Sequence, residues 1–412
     1  MLSKWQEYQR GWPVLLASAL GTGSGVAVLM AYSIGSFIAP LTAEFGWTRA
    51  EVAAAPLFYA LATMLVGPLV GALADRWGSR RIVLWSQSLL AVALVLLTQL
   101  RAPIGWLYAG YATLALLGSG TLPIVFSRAI TGWFVGSRGF ALGLSLIGTG
   151  VVGALLPTYV NGLVQAYGWR GAYLGLAALP LLLGLPLSWL CFRDPPQDMK
   201  SSTPTDQRTA SVADPGSFLF REAIHSVAFW QMAVSFMVVA IAVSAVLSHT
   251  QSLLVDRGVT RAAAAAMLGL FGIAVSCGRL VSGYMLDMLR APIVAAAMFA
   301  APAVACVLLW ASGSNLWLCG GAIMLVGIAG GAEHDIAGFF VAKYFGRAHF
   351  AAIYGLLYAL YGLGGGFGPL LAGAIYDATG SYDPALLGGV GVFVFAAGLI
   401  SCLRPPLKRR SV

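Results

Sequence analysis

Charged residues are scarce in this chain of 412 residues. Asp, Glu, Lys and Arg together make up 9% of it, whereas a soluble domain carries about 25%. Apolar residues make up 59% of the chain. Because so few charges cannot give a soluble protein of this length a polar surface, the composition excludes soluble domains. It predicts an integral membrane protein with the lipid bilayer as its solvent.

The sequence also lacks the arrangements that carry enzymatic chemistry. None of its five cysteines belongs to a CxxC pair, and each lies in or beside an apolar run, where cysteine behaves as a small apolar side chain. There is no metal-ligand cluster, nucleophile elbow or phosphate loop. Gly148, Gly150 and Gly153 have the spacing of a dinucleotide fingerprint without the strand that should precede it, so we interpret them as small residues for helix packing. We therefore expect no cofactor, no metal and no enzymatic activity.

The basic residues lie in short groups between apolar runs. The net charge of +9 would suit nucleic acid only if the basic residues clustered on one face beside aromatics. Their distribution instead fits the loops of a membrane protein, so we expect no nucleic-acid partner.

Twelve apolar runs are each long enough to cross a bilayer, for which a helix needs about 20 residues. They lack the period-two alternation of a membrane barrel. The predicted fold class is therefore all-α integral membrane, with twelve transmembrane helices. The predicted spans cover residues 12–39, 52–74, 82–100, 104–127, 139–163, 171–192, 226–250, 263–286, 292–312, 315–337, 351–375 and 384–403.

The distribution of basic residues predicts the orientation of these spans. If the N-terminus is cytoplasmic, most of the 24 Lys and Arg residues fall in cytoplasmic segments, as the positive-inside rule requires. The first span is too long for a cleaved signal peptide. We expect both termini in the cytoplasm of a multi-pass cell-membrane protein, with the bacterial inner membrane as its location.

One long polar segment divides the chain. It runs from Arg193 to Glu222 and is rich in Pro, Ser, Thr and Asp, a composition typical of a flexible linker. We predict an N-terminal six-helix bundle at residues 1–192, a cytoplasmic linker at 193–224 and a C-terminal six-helix bundle at 225–412.

The two predicted bundles share sequence features at one constant offset. The matching pairs, each 212 residues apart, are Gly71 and Gly283, Asp75 and Asp287, Gly143 and Gly355, and Pro157 and Pro369. Two copies of six spans keep the same orientation in the membrane. They should be related by an axis along the membrane normal, with a substrate site between them near the midplane.

A short segment between the second and third spans carries a family resemblance. GALADRWGSRR, at Gly71–Arg81, resembles the signature of the major facilitator superfamily: a glycine, an Asp-Arg pair, a second glycine and a basic doublet. With the twelve spans and the repeat, the resemblance covers essentially the whole chain. It implies a latch for the outward-facing state, formed by Gly71, Asp75, Arg76, Gly78, Arg80 and Arg81. The alternative is that the arginines only anchor the loop on the cytoplasmic side.

Three further segments resemble bacterial monocarboxylate and oxalate/formate carriers. They are YSIGSFIAPLTAEFGWTRAEV (Tyr32–Val52), GRLVSGYMLD (Gly278–Asp287) and FGRAHFAAIYGLLYALYGLGGGFGPLLAGAIYDATGSY (Phe345–Tyr382). The resemblance implies that Arg279, in the eighth span, binds a substrate carboxylate. Oxalate/formate carriers also have a lysine in the eleventh span, where this sequence has Tyr358 and Tyr361. That difference favours a substrate with one carboxylate.

Three charged residues fall inside predicted spans, where a charge costs at least roughly 2.5 kcal/mol. They are Arg279, Glu333 and Asp335. The fork of a guanidinium fits a carboxylate, so Arg279 is predicted to bind substrate. A buried carboxylate next to another acid can take up and release a proton, so Glu333 and Asp335 are predicted to couple transport to protons. The alternative for all three is a structural ion pair between the eighth and tenth spans.

Other polar side chains within the spans complete the predicted substrate site. They are Tyr32, Tyr159, Asn161, Tyr358 and Tyr361, with His249 and Gln251 near the outer end of the seventh span. For each of them the alternative is ordinary packing between helices or a place at the membrane interface.

These features predict a secondary active transporter that works by alternating access. The expected substrate is a small organic anion, a monocarboxylate, moved by symport with protons, and the expected form in the bilayer is a monomer. One alternative is an exporter or antiporter of drugs or amphipathic metabolites, in which Arg279 would be structural. A second is a membrane receptor, which the short termini disfavour because they hold no signalling domain.

Overall fold

The computed structural model describes residues 4–134, 138–194, 218–346 and 349–404. Within those ranges the regular structure is helical throughout, without strands. The helices before residue 195 are α1 (Lys4–Gly23), α2 (Val26–Phe45), α3 (Arg49–Ala53), α4 (Ala55–Trp77), α5 (Ser79–Leu96), α6 (Gly105–Gly118), α7 (Pro123–Trp133), α8 (Arg138–Ala178) and α9 (Leu185–Cys191). Those after residue 217 are α10 (Phe220–Ile224), α11 (Val227–Asp256), α12 (Arg261–Met288), α13 (Ala291–Ala311), α14 (Leu316–Phe345), α15 (Phe350–Thr379) and α16 (Asp383–Ser401).

Eleven stretches of the described chain are long and apolar enough to cross a membrane. One of them, Ala141–Cys191, has 51 residues and would span about 75 Å as a straight helix, against a bilayer core of about 30 Å. It reverses direction at Gly168, whose φ of 71° and ψ of 179° suit a glycine. This stretch therefore contains two crossings, and the predicted all-α architecture with twelve crossings is confirmed.

The first crossing differs from the single helix predicted for residues 12–39. It consists of α1 and α2, which are separated at Ser24 and Gly25. The backbone N–H of Val26 donates to Oγ1 of Thr121, 3.0 Å away in the fourth crossing. This break depends on a contact between distant parts of the chain, which the local apolar pattern does not contain.

Two hydrogen bonds from indole side chains mark the two ends of the helix array. At one end the indole of Trp133 donates to the carbonyl of Arg193 over 2.9 Å, close to the Gly71–Arg81 segment. At the other end the indole of Trp47 donates to the carbonyl of Ala102 over 2.8 Å. We call the first the basic end and the second the far end.

The residues that repeat in sequence occupy corresponding helices. Gly71 and Gly283 lie in α4 and α12, the second and eighth crossings, and Pro157 and Pro369 lie in α8 and α15, the fifth and eleventh. The two halves of the chain therefore repeat in structure as well as in sequence.

Glycines allow the two halves to approach closely at α8 and α12. A side-chain carbon at Gly150 would overlap the hydroxyl of Ser276, and one at Gly272 would overlap the backbone of Ala154. Gly153, the last glycine of the spacing discussed above, lies against the ring of Tyr32. These glycines serve helix packing, as their sequence context indicates.

Candidate functional site

Arg279 lies on α12, one residue after a close crossing of α12 with α14. Gly278 faces the backbone of Ile328, and Gly331 of α14 faces the backbone of Val275. Because both contacts require glycine, they fix the place where the backbones of α12 and α14 cross beside Arg279. That side chain is half-buried, and its Nε is buried without a hydrogen-bond partner among the described residues. A buried donor of this kind can receive an anion from outside the protein.

Two tyrosines from different halves of the chain lie near the Arg279 charge. The hydroxyls of Tyr32 on α2 and Tyr358 on α15 are both within its electrostatic range. The Tyr32 ring also packs edge-on against Phe271, with 5.8 Å between centroids. The structure thus brings three predicted site residues together, with Tyr32 contributed by the first half.

Glu333 is enclosed on α14, with 1% of its surface exposed. Its Oε2 accepts a hydrogen bond from the hydroxyl of Tyr361 on α15, and its Oε1 is buried without a partner. Between the described side chains, Glu333 and Arg279 form no ion pair. The side chain of Asp335 lies outside the described residues, although its backbone belongs to α14. Glu333 therefore has one buried carboxylate oxygen without a hydrogen-bond partner among the described residues.

A row of tyrosines follows one face of α15 from the basic end toward Glu333. The rings of Tyr354 and Tyr358 are 6.1 Å apart between centroids, as are those of Tyr358 and Tyr361. A small cavity beside this row is lined by Phe236, Glu333, Ala337, Tyr354, Leu357, Tyr358 and Tyr361. Its lining combines a buried carboxyl group with aromatic rings, and Arg279 is not among the lining residues.

Asn161 belongs to a layer of polar side chains between this site and the far end. Its Oδ1 accepts from Nε2 of Gln251 at 3.4 Å, and Oε1 of Gln251 accepts from the Ser36 hydroxyl at 2.8 Å. All three residues are buried. We call Ser36, Asn161 and Gln251 the amide layer. It joins α2 and α8 of the first half to α11 of the second.

Tyr159 and His249 are not brought to the Arg279 group. Tyr159 is 39% exposed, and its hydroxyl donates to the carbonyl of Gly175 at 3.1 Å, in the other arm of α8. His249 is buried toward the far end, 2.9 Å from the hydroxyl of Tyr382. Both residues satisfy their polar atoms locally.

Polar contacts between the two halves are concentrated toward the far end. Between described residues, the hydrogen bonds and ion pairs that join the two halves lie in the amide layer or beyond it toward the far end. At the basic end, a side-chain carbon at Gly71, Gly143, Gly283 or Gly355 would meet no atom within 4 Å. Because the described polar contacts between the halves lie toward the far end, we infer that a solute reaches Arg279 from the basic end.

The Gly71–Arg81 segment makes its described contacts within the first half. Asp194 accepts from the backbone N–H of Ser79 at 2.9 Å and so satisfies the first turn of α5. Arg80 donates to the carbonyl of Trp189 at 2.6 Å. Arg76 and Arg81 are exposed, and the Asp75 side chain lies outside the described residues. In this conformation the segment does not bridge the halves through described side chains.

Sequence reasoning did not single out Arg49, which joins the two halves at the far end. Its guanidinium contacts Asp256, 207 positions away in the chain, at 2.8 Å. The available signal was its position in the first turn of α3, directly after Thr48, where the helix dipole disfavours a cation. An arginine placed there requires an acidic partner from elsewhere.

Comparison with known proteins identifies relatives of this chain. The family profile of the Major Facilitator Superfamily matches residues 20–334 and 253–412. Mouse monocarboxylate transporter 11 is 26% identical over 396 residues, which cover 92% of this chain and 84% of that protein. Rat monocarboxylate transporter 13 is 24% identical over 405 residues, which cover 95% and 90%.

Solved structures share the fold at lower sequence identity. The nucleoside transporter NupG superimposes with a TM-score of 0.73 at 13% identity, covering 95% of this chain and 99% of that one. The D-xylose–proton symporter gives a TM-score of 0.73 at 12% identity, covering 98% of each chain. At these identities the likeness concerns the fold, which is the twelve-helix fold that these transporters adopt.

Proposed function

The chain belongs to the major facilitator superfamily, and from this premise we propose that it carries a small organic anion with one carboxylate across a membrane. Because the family and the relatives named above are transporters, the chain is a membrane transporter and not an enzyme. The proposal concerns its substrate, its coupling to protons and its orientation.

The observation that carries the proposal is Arg279 with a buried donor free for a ligand. A fixed cation inside a membrane helix is costly and is retained where a substrate or a coupling group uses it. The guanidinium fork fits one carboxylate, and Tyr32 and Tyr358 lie within reach of the same charge. The eleventh crossing supplies tyrosines and no second cation near Arg279, so a single carboxylate matches the available charge. The similarity to relatives named monocarboxylate transporters points the same way.

Glu333 is the group that we propose for proton coupling, with Asp335 as a second carboxylate on the same helix. A buried carboxyl group that exchanges a proton changes the charge of the site by one unit, so proton uptake and anion binding favour each other electrostatically. Oε1 of Glu333 has no hydrogen-bond partner among the described residues, so it is available to bind that proton. Transport would then be symport by alternating access between the two halves, with residues 193–224 as the linker.

The basic end is proposed to face the cytoplasm. It contains the arginines of the Gly71–Arg81 segment, as the positive-inside rule expects, and both termini would lie on that side of a bacterial inner membrane. The conformation described here is then inward-facing. The latch assigned to Gly71, Asp75, Arg76, Gly78, Arg80 and Arg81 would be released in it, because such a latch holds the outward-facing state.

Counterflow in proteoliposomes tests the substrate class without assuming any coupling ion. Vesicles are loaded with an unlabelled carboxylic acid, and entry of the same labelled acid is compared with entry of its neutral amide. The proposal predicts counterflow of one or more short monocarboxylates and none of the amide. Counterflow of cationic or neutral amphipathic compounds in place of acids would favour the exporter and overturn the assignment.

A further inference from the structure

Arg49 makes its side-chain contacts at the far end with the second half of the protein. Its Nη1 and Nη2 donate to the two carboxylate oxygens of Asp256, at 2.8 and 3.1 Å. Nη1 also donates to the hydroxyl of Tyr382 at 2.9 Å, and the guanidinium lies 3.9 Å from the centroid of the Tyr376 ring. A bidentate ion pair between an arginine and a carboxylate has a fixed geometry.

The backbone at Arg49 is held from the second half as well. Asp377, near the end of α15, accepts from the N–H of Arg49 at 3.2 Å and from the N–H of Ala50 at 2.9 Å. These are the first donors of α3, which have no partner within their own helix. Gly373 makes the approach possible, because a side-chain carbon there would lie 2.6 Å from Cα of Ala50. The second half thus caps a helix of the first.

A directional chain of hydrogen bonds continues from Arg49 into the protein. Because the carbonyl of Pro369 can only accept, His249 donates to it through Nε2 at 2.8 Å and accepts through Nδ1 from Tyr382. Burial raises the pKa of Tyr382 to about 12, so its hydroxyl keeps the proton that it donates to His249. The oxygen of Tyr382 is then available to accept from Arg49. These hydrogen bonds hold the Tyr382 oxygen in place as an acceptor for Arg49.

We propose that Arg49, together with Asp256, Asp377 and Tyr382, forms a far-end clamp that holds the carrier open toward the basic end. The clamp joins the two halves directly, so any conformation that opens the far end must break all of its bonds. Its rupture is therefore part of the transport cycle, and its strength sets the balance between the two conformations. The inference does not depend on the identity of the substrate.

Other ion pairs at the same end lie within one half. Arg170 pairs with Glu44 at 2.7 Å, both in the first half, and Arg257 pairs with Asp383 at 2.8 Å, both in the second. Opening the far end leaves these pairs intact. Arg170→Ala is therefore a matched control that removes an arginine and an ion pair without touching the clamp.

A reporter cysteine measures opening of the far end. Ser248 is 4% exposed, and its backbone carbonyl lies against Gly35 of the other half, so we expect Ser248→Cys to be shielded while the far end is closed. The variant is reconstituted in lipid nanodiscs and treated with a membrane-impermeant maleimide. Labelling at position 248 is read by mass spectrometry of its peptide, so that the native cysteines do not interfere.

Adding Arg49→Ala is expected to raise the labelling rate at position 248 by about two- to fivefold, the range for a partly exposed ion pair. Arg49→Lys, which keeps the charge and loses the fork, should give an intermediate rate, and Arg170→Ala should leave the rate unchanged. The exchanged pair Arg49→Asp with Asp256→Arg should bring it back toward the starting value.

An unchanged rate in a folded Arg49→Ala protein would overturn the proposal. An equal increase with Arg170→Ala would do so too, since it would indicate general loosening of the far end. If Arg49→Ala does not fold, Asp256→Asn and Asp377→Asn take its place, because each removes one acceptor of the clamp and must raise labelling in the same direction.

Discussion

At the scale of single residues, the account depends on the different tasks of Arg279 and Glu333. Arg279 has a buried donor, Nε, without a partner among the described residues. Glu333 accepts a hydrogen bond from Tyr361 through one carboxylate oxygen, and its other oxygen has no partner among the described residues. The first group suits an anion and the second suits a proton. Substitutions that preserve shape can separate these two tasks.

Replacing Arg279 by alanine is expected to lower counterflow of the acid by at least about tenfold, the equivalent of one lost charge-assisted hydrogen bond of roughly 1.4 kcal/mol. Arg279→Lys should retain part of the activity, because it keeps the charge but not the fork. The measurement is initial counterflow rate per amount of protein in the vesicles. Wild-type rates in Arg279→Ala would show that the arginine only supports the helix packing.

Replacing Glu333 by glutamine removes a titratable group and keeps the size and the acceptor for Tyr361. Counterflow should remain within about threefold of wild type, whereas the stimulation of uptake by a pH gradient should disappear. Asp335→Asn is the matched change on the same helix, and the comparison assigns the coupling proton to one carboxylate. Full stimulation in the Glu333→Gln protein would remove Glu333 from the coupling step.

At the scale of helices, glycines decide how closely the two halves pack. At Gly272 a side chain would overlap the backbone of Ala154, so α8 or α12 would have to shift. We expect Gly272→Val to destabilise the protein by about 1–3 kcal/mol, as overpacking does, and to lower the temperature of thermal unfolding. Gly391→Val is the matched control, because no atom lies within 4 Å of a side chain there. Equal melting temperatures for the two variants would contradict this packing role.

The sequence predicts which segments are helical better than it predicts where they break. A run of about 20 apolar residues is a local property, and each of the twelve predicted spans corresponds to a crossing. The turn at Gly168 lies between the predicted spans 139–163 and 171–192, so the sequence located that break. The break before Val26 was not predicted, because it depends on a contact with Thr121 in another crossing, which a local pattern does not contain.

The candidate site, too, could be predicted only as far as local sequence patterns reach. Arg279 and Glu333 could be found from the sequence because a charge within an apolar run is exceptional. The amide layer and the role of Arg49 could not, because Ser36 is 215 positions from Gln251 and Arg49 is 207 from Asp256. Among the predicted candidates, the sequence alone did not separate Tyr32, near the arginine, from Tyr159, which bonds within its own helix hairpin.

At the scale of the whole molecule, the orientation in the membrane decides which way substrate enters. We expect a membrane-impermeant thiol reagent added to intact cells to label a cysteine introduced by Ala102→Cys, in the far-end loop. A cysteine introduced by Ser202→Cys, in the linker segment, should react only after the cells are permeabilised. Labelling of the second position in intact cells would reverse the orientation, and the described conformation would then be open to the outside.

The central proposal is that a monocarboxylate crosses the membrane together with protons through the site at Arg279. The most direct measurement is uptake of a labelled monocarboxylate into proteoliposomes with and without an inward-acid pH gradient. Arg279→Ala vesicles serve as the reference, because the protonated acid also crosses lipid unaided. We predict gradient-driven accumulation well above that reference for the wild-type protein, and none above it for Glu333→Gln. Accumulation equal to the reference, with intact wild-type protein in the vesicles, would contradict the account.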